Sequence, residues 1–213
     1  LDKATALAVQ PVSRETEARL DVLVEQLRRW QPIKNLVSDH ALPELWTRHI
    51  GDSLQLAELA PDARNWLDLG SGAGFPGLVI AASLADRPGF HMQLVESNAR
   101  KCAFLRESAR LMNIDVTIHQ TRIEDFFASS QSRFDVVSAR ALAPLPQLIE
   151  WCAKLLKDGT TGLFPKGKDA RHELTQTAKC WRLDYTTHNS LTDPASTIIR
   201  VTRACRLERQ RAP

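Results

Sequence analysis

The string LDLGSGAGFPG, residues 67–77, sets Gly70, Gly72, Gly74 and Gly77 directly behind a short apolar run. Glycine reaches positive φ and lets a ligand approach backbone N–H groups where a Cβ would block it. A strand-to-helix turn of this composition can therefore receive a nucleotide-like molecule. Asp68 stands near the end of the apolar run, and Glu96 ends the next one, 19 residues after Gly77. A carboxylate there can accept two hydrogen bonds from a ribose diol. A lone glycine turn is ordinarily just a tight connection. Four glycines, the apolar run before them and the downstream acid together favour nucleotide binding.

The kind of nucleotide is a separate question. GAGFPG, residues 72–77, satisfies the dinucleotide pattern G-x-G-x-x-G, and Glu96 suits the ribose of NAD, which keeps an NAD-dependent oxidoreductase open. Two features favour S-adenosylmethionine. In the dinucleotide pattern the first glycine directly follows the strand, whereas here Gly70 and Ser71 intervene before Gly72. Asp68 at the mouth of the site would repel a pyrophosphate but could hold the ammonium of S-adenosylmethionine, directly or through water.

The elements that must position these residues follow from two periodicities. Leu20, Val24, Leu27 and Trp30 recur at helical spacing over 14–30, with Ser13 as N-cap and Pro32 predicted to close the helix. Leu45, Trp46, His49, Leu56 and Leu59 predict a second amphipathic helix over 43–59, with Pro43 in its first turn. From Asn65 onward, apolar runs at 66–70, 92–96, 115–119, 134–139 and 162–165 alternate with helical stretches near 76–85, 98–112, 122–129, 145–157 and 169–180. That alternation predicts a parallel α/β sheet with helices on both faces. Residues 182–190 and 197–207 read as a closing antiparallel pair. The division expected is an N-terminal helical segment, 1–60, packed on an α/β domain, 61–213.

With 213 residues, 43% of them hydrophobic and 25% charged, the chain is ordinary globular protein and not disordered or low-complexity. The net charge of +3 conceals a gradient: residues 121–213 carry 15 basic and 10 acidic side chains, whereas residues 1–60 carry 7 and 9. This permits a nucleic-acid partner without requiring one. Cys102, Cys152, Cys180 and Cys205 have neither metal-ligand nor disulfide-framework spacing and are expected to be reduced core thiols; no metal is expected. There is no apolar run of membrane-spanning length, and the first ten residues lack a secretory signal pattern, so no membrane partner and a cytoplasmic location are expected.

Several strings together carry a resemblance. GSGAGFPG, NLV (35–37), RHIGDSL (48–54), RKCAFL (100–105), SARALAPL (138–145) and FPKG (164–167), in this order, resemble the RsmG family, also called GidB. The match runs from about residue 20 to residue 170, and departs from the family in NLV for the usual NLT and in Leu78-Val79 for the usual Ile-Pro. The resemblance implies methylation of guanine N7, conventionally guanine 527, in bacterial 16S ribosomal RNA or its small subunit, with S-adenosylmethionine as cofactor. It also implies a class I methyltransferase fold, a Rossmann-like seven-stranded α/β sheet with an antiparallel last strand. Site residues follow from it. Gly70 and Phe75 would border the methionine and sugar, and Glu96 the ribose. Ile123 and Glu124 would hold the adenine, and Arg140 would face cofactor and target base.

Guanine N7 has a free lone pair, so its methylation needs no general base, and catalysis can rest on positioning and electrostatics. Consistently, no NPPY-type motif follows the fourth strand and no Pro-Cys pair supplies a nucleophile. Arg48, His49, Arg122, Arg140, Lys166 and Lys168 are the candidate RNA footprint. Arg140 and Lys166 are assigned the catalytic positions, with side chains expected to be free to reach a bound nucleotide. For each basic residue the plainer alternative is a solvated charge, and for His49 a hydrogen-bonded core histidine. Arg200, Arg203, Arg206 and Arg209 recur every third residue, which fits neither strand nor helix. A methyltransferase of another RNA, a small molecule or a protein, and a non-catalytic RNA-binding module, are the other classes considered. A monomer is expected.

Overall fold

Five parallel strands and a closing antiparallel hairpin form the sheet. In a computed structural model, which describes residues 2–34 and 36–207, the strands are β1 (Asn65–Leu69), β2 (His91–Glu96), β3 (Val116–Gln120), β4 (Val136–Ala139), β5 (Thr161–Lys166), β6 (Trp181–Asn189) and β7 (Thr197–Arg206). Their order is β3-β2-β1-β4-β5-β7-β6, parallel through β5, with β7 antiparallel to both β5 and β6. The central strands bury residues on both faces, as parallel strands covered by helices must.

Two apolar layers flank the sheet. One gathers Trp66, Leu78, Met92, Phe104 and Leu163 with the N-terminal helices α1 (Asp2–Val9), α2 (Arg14–Lys34) and α3 (Asp52–Glu58), and with α4 (Gly77–Leu84) and α5 (Ala99–Met112). The other gathers Leu67, Val137, Phe164 and Ile199 under α6 (Ile123–Ser129), α7 (Leu145–Lys157) and α8 (Ala170–Thr177). The helices start and stop where side chains can replace missing backbone partners. Ser13 Oγ accepts from Thr16 N–H at 3.1 Å, and Asn98 Oδ1 caps α5 through Arg100 and Lys101 N–H. Asn113, at φ 52°, ends α5 in the left-handed region.

Three sequence expectations are corrected. Helix α2 runs through Pro32 to Lys34. A proline in the last turn removes only one amide. Beyond it the Gln31 side chain closes the turn, accepting from Leu36 and Val37 N–H and donating to Val37 C=O. The single helix expected over 43–59 is instead a 3-10 turn (Asp39–Glu44), a π-helical turn (Trp46–Gly51) and α3. Asp2, on a helix the sequence did not announce, caps this junction by accepting Trp46 and Thr47 N–H at 2.7 and 3.0 Å. The cysteines are free, but only Cys102 and Cys152 are core residues; Cys180 is exposed and Cys205 half-buried. Asn35 and Arg209 lie outside the described residues. Among those described, no helix is long and apolar enough to cross a membrane and no cluster of His, Cys, Asp or Glu could hold a metal.

Candidate active site

The strand order reverses direction between β1 and β4, the point at which open α/β sheets leave a crevice beyond their carboxyl ends. The loop after β1 and the segment after β4 flank that crevice, and the two sides are built differently.

On the β1 side the backbone does the work. Gly70, Gly72 and Gly74 hold φ of 64°, 55° and 88°, the region that side chains disfavour. Gly70 and Ser71 N–H donate to Val95 C=O at 2.8 and 3.1 Å, and Gly74 N–H to Ser71 C=O at 2.7 Å. Gly72 N–H donates to Glu96 Oε2 at 3.0 Å, and Asn98 N–H to Glu96 Oε1 at 2.8 Å. Four loop amides are therefore spent internally, so the loop is no cradle of free N–H groups for a pyrophosphate. Glu96 ties the loop to β2 while keeping about half of a carboxylate's roughly four acceptor positions.

Asp68 lies beneath this loop and not at its mouth, which corrects the expectation of an open carboxylate. It is fully buried, and its Oδ1 accepts from Ser138 Oγ at 2.7 Å. Oδ2 has no hydrogen-bond partner. The Gly77 N–H is close enough to stabilise it electrostatically without bonding geometry, and a Cβ on Gly77 would come within 2.7 Å of that oxygen. Burial pushes the Asp68 pKa up to about 6, against the opposing pull of Ser138, Ser71 and Gly77. Ile123 is buried and Glu124 exposed in the first turn of α6, behind Arg122, whose side chain is exposed. That group stands after β3, two strands from β1.

On the β4 side, side chains lock one another. Arg140 Nε pairs with Asp52 Oδ2 at 3.2 Å. Its Nη1 donates to His49 Nδ1 at 2.8 Å and its Nη2 to Arg48 C=O at 2.8 Å. The His49 ring stacks on Phe75 of the glycine loop with centroids 4.8 Å apart, so the π-helical turn bridges both sides of the crevice. Burial, then the charges of Arg140 and Arg48, lower the His49 pKa to about 3. With Nδ1 accepting, the proton sits on Nε2, which is buried without a partner. His49 is thus an internal link and not an open RNA contact. Lys166 pairs with Glu173 at 2.8 Å and donates to Ala143 C=O at 2.6 Å. The expectation that Arg140 and Lys166 are free is therefore wrong: a cation at a half-buried sheet edge needs an internal counter-charge. By donor count, two of five N–H groups remain on Arg140 and one of three on Lys166.

These residues border a polar cleft of about 570 Å³ whose lining includes Arg48, Asp52, Arg140, Leu142, Lys166, Glu173 and Asp193. Leu142 reaches across to Gly70, where a Cβ would meet its side chain at 2.5 Å, so cleft and glycine loop are contiguous. Between them Ala141 holds φ 51°, a strained conformation for a side-chain-bearing residue. Arg48 is exposed, 3.5 Å from Glu44, and Lys168 is exposed beyond β5. Four residues not singled out from sequence prove central. Asp52 and Ser138 lie inside the RHIGDSL and SARALAPL strings, which could have flagged them. Ala141 lies inside the second string too, but its strained φ depends on the assembled fold, and Glu173 carried no signal, since pairing does as well.

The family model described as rRNA small subunit methyltransferase G, GidB, matches residues 16–198, past the point where the motifs end. The chain is 56% identical over 201 residues to the ribosomal RNA small subunit methyltransferase G of Methylobacterium radiotolerans, covering 94% of each. To the protein of the same name from Methylorubrum extorquens it is 52% identical over 206 residues, 97% of each. Its fold is similar to that of an O-methyltransferase from Bacillus cereus solved in complex with SAH, with TM-score 0.62 at 15% identity over 94% of this chain and 96% of that one. Sequence identity of this extent, over nearly the whole of both chains, shows that the protein belongs to the rRNA small subunit methyltransferase G family.

Proposed function

We propose that the chain transfers a methyl group from S-adenosylmethionine to N7 of a guanine in bacterial 16S ribosomal RNA, guanine 527 by the family resemblance. The commitment of every base at the cleft carries this reading. Asp52 is paired with Arg140 and Glu173 with Lys166. Asp193 accepts from Ala195 N–H and Ser196 Oγ, which lower its pKa. His49 is neutral, with its protonated Nε2 buried. Among the described residues that line the cleft, no group stands ready to remove a proton. An exocyclic amine or a ring carbon must lose one on methylation, whereas N7 attacks with a lone pair it already has.

The residues present fit the cofactor. Glu96 has acceptor capacity left for the ribose, the positive-φ Gly72 leaves open space beside the loop, and Asp68 Oδ2 is an unpaired buried acceptor below it. Ile123 and Glu124 are assigned to the adenine and Phe75 to the sugar, as the family resemblance implies. When bound, S-adenosylmethionine supplies an electrophilic methyl group on a sulfonium. Arg140 and Lys166 use their spare N–H groups on phosphate or on guanine O6 and not on N7, which becomes cationic on methylation. Arg48 and Arg122 extend the phosphate contacts. The partner is 16S rRNA, free or in the small subunit, met in the cytoplasm by a monomer.

Incubation with methyl-labelled S-adenosylmethionine and 16S RNA or small subunits should label one guanine. Reduction and aniline treatment should then cleave the chain there, as they do at N7-methylguanine. Label on an exocyclic nitrogen, or none in ribosomal RNA, overturns the reading.

A further inference from the structure

The arginines spaced by three residues near the end of the chain acquire a meaning from the sheet. In regular strand, residues three apart point to opposite faces. Here Asp184 pairs with Arg203 but the next residue, Tyr185, pairs with Val201, so Thr202 is an extra residue in β7. That bulge puts Arg200 and Arg203 on one face. Arg206, beyond the bulge without further interruption, falls on the other face, stacked over Trp181 at 5.5 Å and paired with Glu150 of α7 at 2.9 Å. Arg182, opposite Cys205 on the edge strand β6, joins Arg200 and Arg203.

Helix α7 covers the opposite face, which carries Ile199, Val201 and Ala204 into the core. The arginine face is open: Arg182 and Arg203 are exposed and Arg200 is half-buried. Among the described residues none of the three side chains takes part in an ion pair or donates a hydrogen bond, in contrast to Arg140, Lys166 and Arg206, and Arg200 Nε is covered without any acceptor. Asp184, the acid on this face, makes no ion pair with Arg203. Through their pairing partners Thr186, Asp184 and Cys205, the three cations descend the sheet in steps of two residues, roughly 7 Å each. That is comparable with the spacing of phosphates along a nucleic-acid strand. The track begins below the cleft, since Arg200 pairs with Leu163, three residues before Lys166.

We infer that this face of the β6–β7 hairpin is a second contact surface for the RNA substrate, a track for its phosphate backbone leading away from the cleft. The inference rests on the proposed rRNA substrate. Unpaired arginines aligned on a bare sheet face supply what phosphate neutralisation needs and carry no base-specific information.

The test uses the full chain with Arg182→Glu and Arg203→Glu combined, and the milder Arg182→Gln/Arg203→Gln pair in case charge reversal perturbs folding. Filter binding to 16S RNA is measured across a salt series, with calorimetric binding of S-adenosylhomocysteine as a control for fold and cofactor site. The expected result is RNA affinity at least tenfold weaker near physiological salt. The slope of log K against log salt should be shallower by roughly 1.5, cofactor binding retained, and the loss in methylation should fall on KM for RNA more than on kcat. Unchanged RNA affinity and slope overturn the surface alone. So does a loss seen only with ribosomal particles and not with naked RNA, which would assign the face to a protein. A wild-type chain that neither binds nor methylates 16S RNA overturns the substrate reading and this surface with it.

Discussion

The two sides of the crevice solve the same problem, presenting polar groups at a sheet edge, by opposite means. After β1 the polar groups are backbone amides closed on Val95 and on Glu96, and capacity is left on Glu96 and Asp68. After β4 they are long cationic side chains, each held by an acid from elsewhere in the chain: Asp52 for Arg140 across 88 residues, Glu173 for Lys166. The first side is held by positive-φ glycines and by hydrogen bonds to the neighbouring strand β2. The second is rigid only while the N-terminal segment and α8 stay docked. Asp52 Oδ1 also accepts from Ser190, Thr192 and Gln55, so the β6–β7 connection is tied to the same buried carboxylate. Side-chain ion pairs thus set the geometry on the cation-bearing side, whereas backbone preference and bonds to the adjacent strand set it on the glycine-loop side.

That contrast can be broken most severely at Asp52. Asp52→Ala strands a mostly buried guanidinium and three donors, and should cost about 3–5 kcal/mol of stability by urea unfolding. An Asp52→Ala/Arg140→Met double variant should lose much less than the sum of the two single losses; additive losses would mean the pair is not a unit. On the other side, Glu96→Ala should weaken binding of S-adenosylhomocysteine by about 1.5–3 kcal/mol, with stability falling less than in Asp52→Ala, as read by calorimetry and unfolding on the same samples. An unchanged dissociation constant removes Glu96 from the cofactor site.

Two pH effects sharpen the comparison. His49 is neutral in the fold to about pH 3, whereas the unfolded chain protonates it near 6.5. The unfolded state therefore gains protons first, and stability should fall as pH drops from 6.5 toward 3, by at most about 1.4 kcal/mol per unit from this group. His49→Gln should flatten that slope, and an identical profile would show that the ring is not buried neutral. Asp68 has the opposite sign. Its raised pKa means the folded state holds the proton more tightly, so its contribution to stability declines as pH rises from 3.8 through about 6. The proposed contact of Asp68 with the cofactor's ammonium needs the ionised form, so affinity should weaken below about pH 6, at most tenfold per unit. Asp68→Asn should abolish that dependence; a dependence that persists assigns it elsewhere.

How far the sequence could be read follows the same division. The glycine string, the strands around it and the hairpin at the end were legible because periodicity and φ preference act over a few residues. Pro32 misled because a proline signals a helix end on average, and the Gln31 side chain completes this turn instead. The π-helical turn at Trp46–Gly51 was invisible, since its register is set by Asp2 above it and by Phe75 and Arg140 beside it. Arg140 and Lys166 were found as residues but misjudged as free, because a sequence shows a charge and not its counter-charge.

From its residues alone the chain determined an alternating α/β sheet, a nucleotide-type loop after the first strand, an acid at the end of the second and an excess of cations in its last third. Each of these is fixed by spacing and backbone preference, which are properties of neighbours in the chain. Only the tertiary structure decided which cations are already spent and which remain open. It pairs Arg140 and Lys166 with distant acids, and it uses one extra residue in β7 to bring Arg200 and Arg203 beside Arg182 without side-chain partners among the described residues. Pairing of side chains is a matter of distance in space, and burial makes an unpaired charge costly, so the assignment of free and bound charges waits for the fold.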